Sequence, residues 1–333
     1  MAQRLVVVGA GAIGGTIAAY LERANIRTHL VDANESHVKA IRDHGLTIDA
    51  YNESFRVEVP ADTPDSFAGR LDEVFLATKA PHTESAMEWI APRLNPHGWV
   101  MSAQNGLNEL AIARYIGPER TIGCFVNFSS DLMEPSVISY GGPGTFAIGE
   151  LDGHVSERVD RIGGWIQHFI APIVTDNIWG YLWSKLSYGA VLFATATTDE
   201  TMADCVDHPR YRDVLRAIGA EVVGLARVQN IALLPFDGWD PNALDNHGDA
   251  DAMFDRLSQV MRRNLKVRTG VWRDLAVHHR RTEVDAQYGP VLDIAAELEY
   301  PVPKLTKLVD IIHGLEQDRL KRGLANLEAL MNA

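Results

Sequence analysis

Gly9-Ala10-Gly11-Ala12-Ile13-Gly14 follows directly on the apolar run Leu5-Val6-Val7-Val8 and opens a stretch of helix formers from Ala12 to Ala24. A continuous β-branched run suits a strand buried on both faces of a parallel sheet. In the pattern G-x-G-x-x-G the first glycine permits a tight turn, the second lets backbone approach a pyrophosphate, and the third lets helix and strand pack closely. The helix N-terminus then presents unpaired N–H groups to the phosphates. Ile26 to Asp32 returns to a strand pattern and completes a βαβ unit. Gly9, Ala10, Gly11, Ala12, Ile13 and Gly14 are therefore expected to line a dinucleotide site.

Asp32 lies eighteen positions after Gly14, at the end of the second strand pattern. A carboxylate there can accept hydrogen bonds from the adenosine ribose and would repel a 2′-phosphate, which argues for NAD over NADP. The same carboxylate could instead cap the turn Asp32-Ala33-Asn34.

Further strand patterns run through Thr47-Ile48, Phe55 to Val59, Glu73 to Thr78, Trp99 to Met101 and Thr121 to Cys124, with helical patterns at His37 to His44 and Thr83 to Leu94. This alternation predicts an α/β, doubly wound Rossmann sheet. Tyr140-Gly141-Gly142-Pro143-Gly144 reads as the turn of a hairpin joining Ser136 to Tyr140 with Thr145 to Gly149. From Asp176, a candidate N-cap, the texture becomes helical, which predicts a dinucleotide-binding domain over 1–175 and an all-helical substrate domain over 176–333. Asp251 to His279 carries Met253, Leu257, Val260 and Met261 at helical spacing, read as core. Leu234 to Ala250, rich in Pro, Gly, Asn and Asp, is the evident long loop and a candidate lid.

A net charge of −13 disfavours nucleic acid and anionic membranes as partners. A small molecule is the expected partner, and a homodimer is compatible with this composition. With only Cys124 and Cys205, no disulfide framework or cysteine-rich zinc site can be built, and a reducing cytoplasm fits. The apolar opening from Met1 to Tyr20 is interrupted by glycines at phosphate-loop spacing and is followed by Glu22 and Arg23, unlike a secretory signal. His278 and His279 near Glu283 do not form H-E-x-x-H, so no metal site is expected.

The glycine motif, Lys79, Gln104-Asn105-Gly106, Trp183-Ser184-Lys185-Leu186, Arg281-Thr282-Glu283-Val284-Asp285 and the closing Val302-Pro303 together resemble the ketopantoate reductase family over nearly the whole chain. The resemblance implies hydride transfer between a nicotinamide cofactor and a 2-oxo or 2-hydroxy acid. It further implies that Lys185 is the general acid or base, that Glu283 accepts a hydrogen bond from substrate, that Asn105 bridges nicotinamide ribose and substrate, and that Lys79 lies on the cofactor side. An ammonium beside a carbinol oxygen both stabilises developing negative charge and supplies the proton. Other readings stay open: Lys185 as a surface helix residue, Glu283 as an ion-pair partner of Arg280 or Arg281, and Asn105 as a turn residue.

The chain departs from the family where polar side chains usually stand, at Gly189, Phe193, Val271 and Tyr288, which predicts a more apolar pocket. A shift of one turn along the helix after Lys185 would present Ser187 or Thr195 instead. Asp32 also departs from the basic or small residue that suits NADP in the family. Alternative functions are an opine-type or sugar-acid dehydrogenase and a non-enzymatic NAD sensor; retained Lys185 and Glu283 speak against the sensor.

Overall fold

The apolar run after the N-terminus forms strand β1 (Leu5–Val8), buried along its whole length, in a computed structural model that describes residues 5–245, 247–263 and 267–333. Met1–Arg4 of the expected opening segment, Asn246 of the expected loop and Asn264–Lys266 of the expected helical stretch lie outside the described residues. The chain divides into two compact units, Met1–Ile178 and Trp179–Ala333.

In the first unit, β1 leads through the turn into α1 (Ala12–Arg23), β2 (Thr28–Val31) and α2 (Glu35–His44). There follow β3 (Leu46–Ala50), β4 (Ser54–Val57), β5 (Ala61–Asp62), β6 (Leu71–Leu76), α3 (Thr83–Ile90), β7 (Leu94–Ser102), α4 (Asn108–Ile116) and β8 (Thr121–Val126). The unit closes with β9 (Ser129–Glu134), β10 (Val137–Gly142), β11 (Phe146–Glu150), α5 (Glu157–Ile166) and β12 (Pro172–Val174). The main sheet has eight strands in the order β12-β11-β8-β7-β6-β1-β2-β5, all neighbours parallel except β11 against β8. Strand order reverses beside β1, which has β2 on one side and β6 on the other. Such a switch point opens a crevice at the carboxyl ends of the strands.

The expected hairpin across Gly141–Gly144 does not form. Its two strands belong to different sheets: β11 joins the main sheet, while β10 joins a second sheet of four strands, β4-β3-β10-β9. A Cβ at Gly144 would press on the Asn127 carbonyl, so the chain turns there against its own backbone and changes sheet instead of folding back. The hairpin partner of β10 is β9, a polar edge strand whose sequence, Ser-Ser-Asp-Leu-Met-Glu, lacks the apolar alternation of a strand.

The second sheet covers α1. Ile138 of β10 lies where a side chain at Gly15 would be, and the Thr16 and Ser130 hydroxyls meet at 2.9 Å. Tyr20 packs edge-on against Phe55 and Tyr140, with ring centroids 5.0 and 5.6 Å away. The first helix is thus held between two sheets, which fixes the direction of its N-terminus.

The second unit is helical: α6 (Ile178–Ala196), α7 (Met202–Asp207), α8 (Pro209–Val228), α9 (His247–Arg263), α10 (Gly270–Ala276), α11 (Val284–Glu297), α12 (Pro303–Glu316) and α13 (Leu324–Met331). In α8 the buried Tyr211, Val214, Leu215, Ile218, Val222 and Leu225 recur at helical spacing, the pattern of a core-facing stripe. Met253, Leu257 and Met261 of α9 are buried as expected, but Val260 is 52% exposed, at the rim of that stripe. The segment read as a lid is pinned on α6 over its described first half. Leu234 N–H donates to Ser184 Oγ at 3.1 Å and Trp239 Nε1–H to Ser187 Oγ at 2.9 Å. Among the described residues, no helix is long and apolar enough to cross a membrane.

Candidate functional site

Gly9 continues β1 for one residue, its N–H bonded to the Val31 carbonyl at 2.8 Å, and then takes φ +96°, the left-handed region that glycine enters freely. Its missing Cβ also leaves room for Thr78 backbone. Gly14 has no space for a side chain, because a Cβ would collide with the Gly9 carbonyl, so helix and strand stay in contact. Nothing stands within 4 Å of the Cβ direction at Gly11, so backbone there is open to a ligand. These are the separate demands that a diphosphate turn places on its three glycines.

Asp32 follows β2 directly and is half-buried. Its Oδ2 accepts from Ala10 N–H and its Oδ1 from Asn34 N–H, both at 2.8 Å. The carboxylate therefore caps its own turn and also braces the glycine turn. Lys79 follows β6 and Asn105 follows β7; both are exposed. Gly9, Asp32, Lys79 and Asn105 thus stand beyond the carboxyl ends of four adjacent strands, β2-β1-β6-β7.

A buried network that sequence reasoning missed holds the Asn105 loop. Gln104 Nε2 donates to the Thr78 carbonyl at 2.9 Å and to Thr83 Oγ1 at 2.8 Å; Thr83 Oγ1 donates to Asn108 Oδ1 at 2.8 Å; Asn108 Nδ2 donates to the Asn105 carbonyl at 2.6 Å. Beside it lies Glu109, in the first turn of α4 and fully buried, with neither carboxyl oxygen reaching a hydrogen-bond partner. Burial pushes this carboxyl up to about 8, against the smaller opposing pull of nearby backbone N–H groups and the Ser102 hydroxyl.

In the second unit, Lys185 is half-buried on α6, flanked by the buried Ser184 and Leu186. Glu283 precedes α11 and its Oε2 accepts from Gln287 Nε2 at 3.1 Å; Arg280, a candidate ion-pair partner, bonds Asp274 at 2.8 Å. Three of the four expected pocket positions form one packed cluster. The fully buried Tyr288 ring sits over Gly189, where a Cβ would lie 2.8 Å from its hydroxyl, and meets Phe193 edge-on at 5.3 Å. The Tyr288 hydroxyl donates to the Leu186 carbonyl at 2.9 Å, and burial pushes its pKa well above the ordinary tyrosine range. This contact joins the turn of α6 that carries Lys185 to the helix that Glu283 opens. Val271 is half-buried on α10. Ser187 and Thr195, the alternatives for the pocket, are buried with their hydroxyls bonded to the Ser184 and Leu192 carbonyls. Among the described residues, no three His, Cys, Asp or Glu side chains gather as metal ligands.

Residues 5–153 match the family model described as ketopantoate reductase PanE/ApbA, and residues 177–316 match its C-terminal counterpart. A 2-dehydropantoate 2-reductase of Mesorhizobium japonicum is 25% identical, with 95% of this chain and 98% of that one covered. The corresponding protein of Halobacterium salinarum is 23% identical, with 95% and 99% covered. Among solved structures, D-mandelate dehydrogenase in ternary complex with NADH and anilino(oxo)acetate superposes with a TM-score of 0.81 at 19% identity, over 95% of this chain and 99% of that one. A PanE/ApbA family ketopantoate reductase from Ralstonia eutropha gives 0.80 at 22%, with the same coverage. A ketopantoate reductase from Staphylococcus aureus, described as dimeric, gives 0.73 at 16%, over 95% of this chain and 100% of that one.

Proposed function

The chain belongs to the ketopantoate reductase family, oxidoreductases acting on CH–OH groups, and from that premise we propose that it transfers hydride between NAD(H) and a 2-oxo or 2-hydroxy acid with an apolar side chain. The observation that carries this reading is the alignment of the glycine turn, Asp32, Lys79 and Asn105 along the carboxyl ends of β2-β1-β6-β7. The open backbone at Gly11 fits a diphosphate, and a carboxylate at Asp32 fits a ribose diol better than a 2′-phosphate. The D-mandelate dehydrogenase of similar fold was solved with NADH, which accords with this choice.

When bound, the nicotinamide supplies or accepts the hydride. The roles of this chain's residues are those the family resemblance implies, and their chemistry suits them. The Lys185 ammonium donates a proton to the substrate oxygen as negative charge builds there, and takes it back in the reverse direction. Glu283, an ionised acceptor, orients a donor of the substrate. Asn105, held through its carbonyl by the buried network, would bridge the nicotinamide ribose and the substrate.

The substrate class rests on the reading of Gly189, Phe193 and Tyr288 as pocket positions, of which the structure buries Phe193 and Tyr288. Gly189, Phe193 and Tyr288 give no free polar group to a hydroxylated side chain, since the one hydroxyl among them is bonded to the Leu186 carbonyl. A ligand hydroxyl left without a partner costs about 1–3 kcal/mol. A bulkier or less hydroxylated acid than ketopantoate is therefore preferred. Both cysteines are buried and not in a disulfide, which suits a reducing cytoplasm; burial pushes the Cys205 thiol up to about 11. The dimeric Staphylococcus aureus relative is the reason to place two copies in the working enzyme.

The test is a panel of aliphatic, aromatic and hydroxylated 2-oxo acids, ketopantoate included, followed by NADH absorbance. Turnover with highest kcat/KM on an apolar acid supports the proposal. Highest kcat/KM on ketopantoate overturns the substrate class, and no turnover on any acid overturns the activity.

A further inference from the structure

The peptide units at Ala10 are held from both ends, and only one of the two holds comes from the acidic residue of the dinucleotide motif. Asp32 takes the Ala10 N–H. The Ala10 carbonyl is taken by His37, whose Nε2 lies 2.9 Å away. His37 is 1% exposed, so its ring nitrogens must be satisfied within the protein. The second nitrogen, Nδ1, faces the backbone N–H of Ser136 at 3.0 Å. A backbone N–H can only donate, so Nδ1 is an unprotonated acceptor and Nε2 carries the hydrogen given to Ala10. The ring is neutral and in a single tautomer.

Local sequence explains how one short segment grips both sides of the turn. Asp32 Oδ1 caps the Asn34 N–H, Asn34 Oδ1 caps the His37 N–H at 3.1 Å, and α2 starts from that cap. The pattern Asp-x-Asn-x-x-His thereby brings a carboxylate and an imidazole to the two faces of Ala10. Ser136 is in turn fixed by its φ of +64° and by its carbonyl, which accepts from Thr47 N–H at 2.9 Å. A chain of bonds runs from the second sheet through His37 into the glycine turn.

We propose that His37 is a positioning residue for the cofactor: as a neutral Nε2–H imidazole clamped by Ser136, it sets the orientation of the Ala10–Gly11 peptide, and hence of the backbone that meets the diphosphate. The proposal rests on the reading that this turn binds NAD(H). It makes His37 act on cofactor affinity and not on hydride transfer.

The test compares His37→Gln, whose amide nitrogen can stand near Nε2 and donate to Ala10, with His37→Asn, whose shorter side chain reaches only the Ser136 side. NADH dissociation constants are measured by calorimetry on folded protein, together with the single-turnover hydride-transfer rate at saturating NADH. In the unaltered protein, nitrogen NMR of the imidazole reads the tautomer directly. The expected result is NADH affinity within about threefold for His37→Gln and about tenfold weaker for His37→Asn, with little change in the saturated rate, and an Nε2–H tautomer. Equal affinities for both variants and the unaltered protein, equal losses in both, or an Nδ1–H tautomer overturn the proposal while leaving cofactor binding intact. Failure of the unaltered protein to bind NADH overturns the cofactor reading itself, and the proposal with it.

Discussion

Asp32 Oδ2 accepts the Ala10 N–H at 2.8 Å, so the carboxylate proposed to select the cofactor is also a strut of the glycine turn. NAD(H) is expected to bind at least roughly tenfold tighter than NADP(H), because a 2′-phosphate would meet this charge at close range. Asp32→Ala should relax that preference and at the same time weaken NAD(H), since Ala10 N–H loses its acceptor. Calorimetry with both cofactors checks this. A variant that gains NADP(H) affinity with no loss for NAD(H) would show that the strut does not matter.

Gly189 and Tyr288 form a second pair with a measurable coupling. A methyl group at 189 would lie 2.8 Å from the Tyr288 hydroxyl but 4.0 Å from the ring carbon that bears it. Gly189→Ala should therefore destabilise the protein by about 1–3 kcal/mol through overpacking. In a Tyr288→Phe background the same change should become neutral or stabilising by up to about 1 kcal/mol, the helix preference of alanine over glycine. A double-mutant cycle by urea unfolding reads the coupling, and additive effects would contradict the packing described.

What the sequence made legible were features encoded within a few dozen residues. Gly9, Gly11, Gly14 and Asp32 could be read because strand, turn, helix and acid follow one another along the chain. The polar edge strand β9 was not legible, because its pairing with β10, and not any alternation of its own, makes it a strand. The change of sheet after Gly142 depends on the approach of Gly144 to Asn127, a contact with no local signature. His37 and Ser136 are 99 residues apart, and Leu186 and Tyr288 are 102 apart, so neither bond leaves a mark in periodicity or spacing. The same reason explains why Gly189, Phe193 and Tyr288 read as separate losses of polarity, although in the structure one ring fills the space another residue vacates.

Glu109 predicts a pH dependence. Its pKa in the folded protein is near 8, above the ordinary value of 4.5, so the folded state holds this proton more tightly than the unfolded chain. The associated stability is complete below the unfolded value and is lost as pH rises toward the folded one, at up to about 1.4 kcal/mol per pH unit. Glu109→Gln, neutral at every pH, should flatten that decline. Urea unfolding at intervals between about pH 5 and 8.5 compares the two proteins; parallel profiles would mean the carboxyl ionises in the folded state much as it does in water.

The central claim, that this chain reduces a 2-oxo acid by hydride transfer with Lys185 moving the proton, is tested most directly by single-turnover kinetics of Lys185→Ala with NADH and the best acid from the panel. Hydride transfer should fall by at least about a hundredfold, with the NADH dissociation constant within a few-fold of the unaltered protein, because the lysine acts on the developing oxyanion and not on the cofactor. A variant that transfers hydride at the unaltered rate would contradict it.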